Sequence, residues 1–468
     1  MIPYEHQAKS IAHLLSLFGQ APCGAVDASD MGTGKTLVAV EVERTLDLPT
    51  LVVCPLAAKA GWERTALSQQ AEFDVINYEM LRTGRTDYGT WFTPKFCRKP
   101  RFQFHDGVRT VIFDEAHRCM GLQTKNSELM RAVRRQGLYG LALSATLADT
   151  PMELDALGFM LGLHDSHEPA TLRVKEPLDF YTWARRYGCG KGMFEPFEFL
   201  GSKADKAKNM ARLNRAIFPA HGVRVRIKDL PWFPKTQITA ELYELGSGKR
   251  SLDELYAQMS AALNRVDERD AECKRRLLER AKRNGFQGDE LPDDPLTTFL
   301  RARQKIELLK VPVFQEFTDD GLANGMSVML FLNFKESIVE LKKIFPTASV
   351  IWGAQTAVER EDQRLQYQRE QTRVILCQSD AGGVALDLPD ETGRFPRLSG
   401  ISPGFNAKLL RQIFGRPCRL SSKTKSLQRV IFAAGTEEEP IHNRLAMKLD
   451  NLDSLQDGDL LPNNLRFS

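Results

Sequence analysis

Short apolar runs alternate with helical patterns along the first part of the chain. The runs at Thr50–Cys54, 75–78, 111–113 and 141–144 end in polar or turn residues, and residues with helical spacing lie between them. Continuous apolar runs of this length are typical of strands that are buried on both faces. Strands that alternate with helices in this way predict a doubly wound parallel sheet, and therefore an α/β fold.

A second alternating block follows a segment of different character. From about residue 241 to 310 the sequence has helical periodicity with dense alternating charge, and it includes the acidic string GDELPDDP at 288–295. We interpret this segment as a helical protrusion with a flexible joint, although a solvated, salt-bridged helix explains most of its charges. Later apolar runs predict the strands of a second α/β lobe, at Ser327–Leu332, 348–352, 373–377 and 429–433.

Length and composition are those of a multidomain globular protein. A chain of 468 residues is too long for a single hydrophobic core, and 42% hydrophobic with 26% charged residues is an ordinary balance. We therefore predict an N-terminal lobe at 1–235, a charged helical insertion at 236–310 and a C-terminal lobe at 311–468.

Charge and cysteine content give limited information about binding partners and the cellular compartment. A net charge of +4 permits a nucleic-acid partner without indicating one, because a local basic channel matters more than the total. The eight cysteines contain no C-x-x-C pair, which predicts free thiols in a reducing compartment and no structural zinc. The N-terminus lacks a signal-peptide pattern and no apolar run is long enough to span a membrane, so we expect a soluble, cytoplasmic protein.

The string SDMGTGKT at 29–36 is the first candidate for chemistry. Gly32 and Gly34 allow the backbone to curl with its N–H groups inward, at the start of a helix whose dipole favours negative charge. Lys35 would then reach the β- and γ-phosphates of a nucleotide, and the Thr36 hydroxyl would bind Mg²⁺. Ser29 stands where the pattern usually has its first glycine, and its side chain is small enough for that position. The residues expected around the phosphates are Asp30, Met31, Gly32, Thr33, Gly34, Lys35 and Thr36.

The string VIFDEAHR at 111–118 completes this candidate site. The apolar run predicts a buried strand that delivers Asp114 and Glu115 at its carboxyl end, where parallel sheets bind ligands. Asp114 would hold the Mg²⁺ and Glu115 would polarise the attacking water. A glycine-rich turn alone could be an ordinary tight loop, but the two strings in this order and at this spacing predict an ATP-hydrolysing site.

The chain resembles the superfamily-two helicase-like ATPases, and most closely their Swi/Snf-type DNA translocase branch, including its compact annealing-helicase-like members. YEHQ at 4–7 resembles a glutamine motif, and VVCPLAAKAGWERTA at 52–66 resembles the first strand-contacting motif. RVRIKDLP at 224–231, DAGGVALDLPD at 380–390 and RQIFGRPCRL at 411–420 follow in the order of the family. The resemblance covers nearly the whole chain. It implies two RecA-like lobes that bind one ATP in their cleft, in a compact protein of phage or bacterial source.

The resemblance also implies roles for individual polar residues. Gln7, in the segment that begins at Tyr4, would read the edge of adenine through its amide. Arg416 and Arg419 lie three residues apart, so on one helical turn both could point at the same phosphate and act as arginine fingers. Gln412 would place the γ-phosphate or the water. A surface glutamine and solvated arginines are the plain alternatives.

Other residues of the motifs concern coupling and the branch of the family. His117, Ser144 and Thr146 would connect the hydrolysis strand to its neighbour by hydrogen bonds, or could simply be polar groups packed at strand ends. Two features depart from the Swi/Snf branch toward the RNA-helicase relatives. The third motif reads Ser-Ala-Thr where Thr-Gly-Thr is common, and Asp387 stands where Asn is usual and would accept a hydrogen bond from a ribose hydroxyl.

Nucleic acid is expected at strand ends opposite the ATP, facing the groove between the lobes. Backbone N–H groups at helix starts can bind phosphates without reading sequence, which suits a motor. Trp62 and Phe334 could equally be packing aromatics. The candidate contacts are Pro55, Lys59, Trp62, Asn333, Phe334, Ser379, Gly382 and Gly383.

The sequence therefore predicts a motor that uses ATP and Mg²⁺ to move along double-stranded or branched DNA, with no membrane role. Because no reader, zinc or nuclease domain is recognisable in it, targeting would need a protein partner or a feature of the DNA. A strand-separating DNA or RNA helicase, an ATP-gated clamp on nucleic acid and the motor subunit of a restriction-type complex remain alternatives.

Overall fold

The computed structural model divides the chain into two units, Met1–Trp232 and Phe233–Ser468. Each unit is built on one parallel sheet. The structure describes residues 3–19, 24–95, 99–120, 122, 124–145, 147–148, 150–165, 179–192, 197–234, 236–245, 251, 254–255, 257, 295–379, 386–403, 407–434, 438–439 and 442.

The first unit contains a parallel sheet with helices before, between and after its strands. The strands are β1 (Gly24–Asp27), β2 (Thr50–Cys54), β3 (Phe73–Asn77), β4 (Gly89–Phe92), β5 (Arg101–Phe104), β6 (Thr110–Asp114), β7 (Tyr139–Leu143), β8 (Cys189–Gly190), β9 (Glu198–Phe199) and β10 (Gly222–Val223). The helices are α1 (Glu5–Phe18), α2 (Lys35–Leu46), α3 (Leu56–Gln69), α4 (Tyr78–Leu81), α5 (Lys125–Arg135), α6 (Asp155–Met160), α7 (Phe180–Arg185) and α8 (Lys203–Ile217). Six of these strands form the parallel sheet in the order β10-β1-β7-β6-β2-β3, so β7 separates β1 from β6. β4 with β5, and β8 with β9, form separate two-stranded antiparallel sheets.

Helices cover both faces of this sheet. Val26, Val53 and Phe113 lie in one core cluster with residues of α4, α5 and α6. Leu14 of α1 is buried outside that cluster, and α1 contacts β1, β10 and α2. Because successive strand residues point to opposite faces, a sheet covered on both sides needs apolar residues at every position. The continuous apolar runs in the sequence follow from this arrangement.

The second unit has a parallel sheet with the order β11-β16-β15-β12-β14-β13. Its strands are β11 (Thr236–Tyr243), β12 (Ser327–Leu332), β13 (Ser349–Ile351), β14 (Val374–Gln378), β15 (Arg397–Ile401) and β16 (Ser426–Ala433). Its helices are α9 (Pro295–Leu309), α10 (Val311–Ala323), α11 (Lys335–Ile344), α12 (Ala357–Gln368) and α13 (Ala407–Phe414). The predicted fold class, two parallel-sheet α/β lobes, is confirmed.

Two strands of the second sheet differ from the sequence prediction. β11 pairs with β16 along its whole length, although residues from 236 onward were expected to begin the helical insertion. The central part of that insertion, 258–294, lies outside the described residues. β15 was not expected because Ser399 and Gly400 interrupt its apolar pattern. A Cβ at Gly400 would lie 2.7 Å from the Phe317 ring, so the glycine permits close packing of α10 on the strand.

The predicted setting can be compared with the structure at two points. None of the helices in the described ranges is long and apolar enough to cross a membrane. The prediction of free thiols is confirmed for the cysteines that the structure describes, which are buried, at Cys54, Cys119, Cys189, Cys377 and Cys418.

A buried histidine in the first unit makes its stability sensitive to acid. His164 is 1% exposed and packs against the rings of Phe180 and Trp183, with ring centroids 5.0 and 5.2 Å away. Burial lowers the pKa of His164 to about 4. The unfolded chain, with a value near 6.5, therefore takes up the proton first as the pH falls, so stability decreases between these two values.

We expect His164→Phe to remove most of this acid sensitivity. The full loss between about pH 6.5 and pH 4 corresponds to about 3 kcal/mol, because one pKa unit is worth about 1.4 kcal/mol. Urea unfolding at several pH values, followed by a signal from the first unit, measures this loss of stability. His105→Phe, at an exposed position, is the control. An unchanged pH dependence in His164→Phe would contradict the assignment.

Candidate active site

The loop between β1 and α2 has the shape of a phosphate cradle. Gly32 and Gly34 have φ angles of +83° and +90°, a region that residues with a side chain rarely adopt. α2 begins at Lys35, immediately after Gly34. The first N–H groups of a helix have no partner within it and carry the positive end of its dipole, so the loop offers donors to an anion.

Lys35 is folded back over this loop. Its Nζ donates to the carbonyl oxygens of Ser29 and Asp30, at 2.8 and 3.0 Å. Burial lowers the pKa of Lys35, and the charges of Asp27 and then Glu115 oppose that shift. The ammonium group is therefore held above the loop beside acidic groups, where a phosphate could take over its hydrogen bonds.

The serine that departs from the usual glycine has a partner in the fold. Ser29 Oγ accepts a hydrogen bond from the N–H of Val225 at 3.0 Å, and Asp30 Oδ2 accepts one from Ile227 at 2.8 Å. Both donors belong to the 224–231 motif, which therefore supports the loop from behind. The hydroxyl of Ser29 provides an anchor that glycine could not.

Asp27 is a buried acid below the loop that sequence reasoning missed. It ends β1, is 1% exposed, and accepts a hydrogen bond from Ser29 N–H at 2.9 Å through Oδ1. Burial raises the pKa of Asp27, while the charge of Lys35 opposes the rise. An acid at the end of the apolar run GAVD was the signal available in the sequence.

The N-terminal motif also holds the loop. Gln7 and His6 each approach the carbonyl oxygen of Thr33 at 3.0 Å, and Gln7 Oε1 accepts from the N–H of Tyr4 at 2.9 Å. Gln7 is buried. Its amide thus has structural partners at both ends, and its contact with adenine stays a prediction.

An aromatic pair lies next to these residues at the surface. Tyr4 and Trp232 are half-exposed and stack with ring centroids 5.2 Å apart, and the His6 ring lies 5.3 Å from Trp232. Sequence reasoning missed Trp232, which directly follows the 224–231 motif. The pair gives the loop a flat apolar neighbour at the end where Gln7 lies.

The acidic pair lies at the carboxyl end of β6, two strands away from the loop. Asp114 Oδ1 accepts from the N–H of Glu115 at 3.0 Å. Burial, and then the charge of Glu115, raise the pKa of Asp114 to about 6. Glu115 has a φ of +49°, a strained conformation for a residue with a side chain. Carboxylate and hydroxyl oxygens suit Mg²⁺, so the chemistry of Asp114 and Thr36 fits the predicted metal.

Trp62 supports this acidic pair and does not belong to a nucleic-acid surface. It is 2% exposed, and its indole N–H donates to Asp114 Oδ2 at 2.8 Å. The Tyr78 hydroxyl donates to the backbone oxygen of Asp114, also at 2.8 Å. The prediction of a nucleic-acid contact at Trp62 is therefore wrong, because the ring is enclosed and its only donor is engaged.

The residues predicted to couple the strands lie near each other where they are described. His117 Nδ1 is 3.2 Å from Glu115 Oε2 and 3.5 Å from Ser144 Oγ. His117 therefore lies between the end of β6 and the residue that follows β7. Thr146 lies outside the described residues, so its role stays a prediction.

The arginines of the second unit are arranged differently from the sequence prediction. α13 ends at Phe414, so Arg416 and Arg419 do not share a helical turn. Gly415 and Pro417 explain this end, because neither favours a continuing helix. Arg416 is 2% exposed and donates to the Leu386 carbonyl at 3.2 Å.

Arg419 is held by the residue that departs from the branch pattern. Its Nε donates to Asp387 Oδ1 at 2.8 Å, and Asp387 itself is exposed. The positive charges of Arg419 and Arg416 keep the pKa of Asp387 below its usual value. Gln412 on α13 is buried. The roles of these residues toward a nucleotide stay predictions.

The remaining nucleic-acid candidates divide into accessible and enclosed groups. Lys59 is partly exposed on α3, 3.6 Å from Glu63, and Pro55 precedes the first residue of that helix. Ser379 is buried. Gly382 and Gly383 lie outside the described residues.

A carboxylate occupies the helix start where a phosphate was expected in the second unit. The backbone N–H groups of Asn333 and Phe334 donate to the two oxygens of Glu307, at 2.8 and 2.9 Å. The Asn333 side-chain amide donates to Glu307 as well, at 2.8 Å. The expectation that these N–H groups are available to nucleic acid is wrong for this structure, because Glu307 accepts both.

The chain is similar over most of its length to a viral protein. The chain is 26% identical over 489 positions to "Putative ATP-dependent RNA helicase L364" of Acanthamoeba polyphaga mimivirus, covering 98% of this chain and 84% of that protein. The crystal structure of the Pyrococcus furiosus Hef helicase domain aligns with 95% of this chain and 100% of its own, at 12% identity and a TM-score of 0.44. No protein-family model matches the chain. The chain is thus similar along nearly its whole length to a viral protein that is named as a helicase.

Proposed function

We propose that the chain hydrolyses ATP at the loop between β1 and α2 and uses the energy to move along nucleic acid. The single observation that supports this most directly is the combination of left-handed glycines, Lys35 and the acidic end of β6 at one edge of one sheet. A phosphate-binding loop alone could serve many nucleotide proteins. The adjoining pair of acids adds what hydrolysis requires.

Each residue of this edge has a defined task in the proposal. The loop N–H groups and Lys35 bind the β- and γ-phosphates. Thr36 and Asp114 hold Mg²⁺, which neutralises phosphate charge when bound. Glu115 orients the attacking water and accepts its proton, and His117 keeps the Glu115 carboxylate in place. Arg419 approaches the γ-phosphate when the two units close on the nucleotide.

For the nucleic acid, we propose double-stranded or branched DNA, as in the Swi/Snf-type branch. The motifs that resemble this branch run through both units, and Lys59 offers an accessible cation on α3. Closure on ATP and release after hydrolysis would alternate the grip on phosphates, which converts the cycle into steps. A targeting protein partner and a phage or bacterial host belong to the same proposal.

A strand-separating RNA or DNA helicase is the second candidate. The viral relative is named as an RNA helicase, and Asp387 and the Ser-Ala-Thr string are nearer to the RNA-helicase pattern than to the Swi/Snf pattern. Both candidates use the same ATPase residues. The substrate that stimulates hydrolysis therefore separates them.

The deciding experiment measures ATPase rate with single-stranded DNA, duplex DNA, forked DNA and RNA. We expect duplex or forked DNA to stimulate more than RNA does, with an affinity that falls steeply with salt and depends little on sequence. Displacement of a third strand from a triplex then reports movement along a duplex without strand separation.

The outcomes assign the protein to one candidate. ATP-dependent triplex displacement without unwinding of a tailed duplex would support the translocase. Unwinding of the tailed duplex, with the strongest stimulation by single strands or RNA, would instead establish the helicase. Tight nucleic-acid binding with negligible turnover would indicate an ATP-gated clamp.

A further inference from the structure

Helix α3 has one side toward solvent and one toward the acidic end of β6. Lys59 is partly exposed on it, and Trp62, less than one turn later, is enclosed. The indole N–H of Trp62 donates to Asp114 Oδ2, and the ring lies edge-on to Phe73 with centroids 5.9 Å apart. One helix therefore carries both a surface cation and a direct hydrogen bond to the proposed metal ligand.

We propose that Trp62 is a positioning residue that orients the Asp114 carboxylate for Mg²⁺ and links that carboxylate to the nucleic acid bound at α3. This inference rests on the proposed function and adds to it a route of coupling. The route differs from the one through His117 and Ser144, because it starts from the helix after β2.

The geometry explains why the hydrogen bond matters for a metal. Asp114 accepts one N–H at each oxygen, from Trp62 at Oδ2 and from Glu115 at Oδ1. Two donors at opposite oxygens fix the plane of a carboxylate, and each oxygen retains a lone pair for a metal or its water. Without the indole N–H, the hydrogen bond from Glu115 holds the carboxylate at Oδ1 alone. The cost of ordering the carboxylate then reduces the free energy of Mg²⁺ binding.

The same hydrogen bond can carry a signal in either direction. Nucleic acid that engages Lys59 acts on α3, and a shift of α3 changes the distance between Trp62 and Asp114. Because linkage is reciprocal, Mg-ATP bound at Asp114 must then change the affinity for nucleic acid by the same factor. Loss of the indole N–H should therefore weaken metal binding and coupling together.

The experiment compares Trp62→Phe with Phe73→Leu, both in a Glu115→Gln background that slows hydrolysis. Phe73→Leu removes the neighbouring ring but leaves the indole N–H in place, so it controls for packing. ATP binding is measured by calorimetry with and without Mg²⁺, and duplex DNA binding is measured with and without Mg-ATP. Melting curves verify that each variant is folded.

We expect Trp62→Phe to lose about tenfold of the Mg²⁺-dependent gain in ATP affinity, the size expected for a hydrogen bond to a charged group. Affinity for ATP without Mg²⁺ should change less than about twofold. The effect of Mg-ATP on DNA affinity should shrink in parallel, and Phe73→Leu should keep both effects. If Trp62→Phe does not fold, site-specific benzothienylalanine at 62 replaces the N–H by sulfur in a ring of nearly the same shape.

Two results would overturn the proposal, and they differ in what else they remove. A normal Mg²⁺-dependent gain in folded Trp62→Phe would show that the hydrogen bond does not position Asp114, and the proposed function would stand. Absence of ATP binding in the parent protein would overturn the proposed function, and this inference with it.

Discussion

Replacing Glu115 by Gln is expected to lower ATPase turnover by about 100- to 10,000-fold, the usual contribution of a positioned general base. The amide has nearly the same shape as the carboxylate but cannot accept the proton of the attacking water. Binding of ATP and Mg²⁺ should remain, because Lys35, Thr36 and Asp114 are unchanged. Phosphate release under saturating ATP measures turnover, and filter binding measures affinity.

Lys35→Ala separates hydrolysis from binding. Lys35 Nζ reaches the carbonyls of Ser29 and Asp30 across the loop, so its loss removes the cation nearest to the phosphates. ATP affinity should therefore fall in Lys35→Ala and persist in Glu115→Gln. Glu340→Gln, on the surface of α11, is the matched control for the charge change in Glu115→Gln. Wild-type turnover in either site variant, from a preparation free of other ATPases, would refute the site.

The conformation of Glu115 adds a reason to expect a large effect. A residue with a side chain at a φ of +49° costs free energy, which the surrounding hydrogen bonds must offset. Asp114 Oδ1 accepts the Glu115 N–H, and His117 contacts the Glu115 carboxylate. The side chain is thus held in one direction, so a substitution cannot be compensated by a neighbouring rotamer.

The fold and the centre of the site could be predicted because their signals are local. Buried parallel strands need continuous apolar runs, and a phosphate loop needs glycines at fixed offsets before a lysine. Both requirements concern residues that are close together in the sequence. β15 was not predicted because Gly400 interrupts its apolar pattern. Glycine is needed there because the Phe317 ring of α10 packs closely against the strand.

Partners that are distant in the chain could not be read from the sequence. Ser29 accepts from Val225, and Trp62 donates to Asp114, across 196 and 52 residues respectively. A motif position suggests that Trp62 faces nucleic acid, but burial and the direction of its N–H decide otherwise. Likewise, the Glu307 carboxylate accepts hydrogen bonds from the N–H groups of Asn333 and Phe334. The sequence around those two residues does not predict this partner.

The surroundings of Arg416 and Arg419 also could not be predicted from the sequence, although both lie in one motif. Their spacing suggested equal roles, whereas the end of α13 at Phe414 gives them different surroundings. Arg416 is enclosed and donates to Leu386, and Arg419 pairs with the exposed Asp387. We therefore expect Arg416→Ala to lower the melting temperature of the second unit, since it removes this donor from the buried Leu386 carbonyl. Arg419 remains the candidate for contact with the nucleotide.

Arg419→Ala is expected to reduce turnover by about 1,000-fold or more, as loss of an arginine finger does in comparable phosphoryl-transfer enzymes. Nucleic-acid affinity should stay near that of the wild type. The melting temperature of the second unit should fall, because the Arg419 side chain is only 13% exposed and also donates to the carbonyls of Gly415 and Cys418. Arg419→Lys should not restore turnover, since an ammonium group lacks the planar fork that holds both Asp387 and a phosphate. Arg394→Ala, at an arginine that is exposed, is the control for loss of a positive charge. Loss of DNA binding with unchanged basal hydrolysis in Arg419→Ala would instead place this arginine on the nucleic-acid face, and the proposed direction of closure would then be wrong.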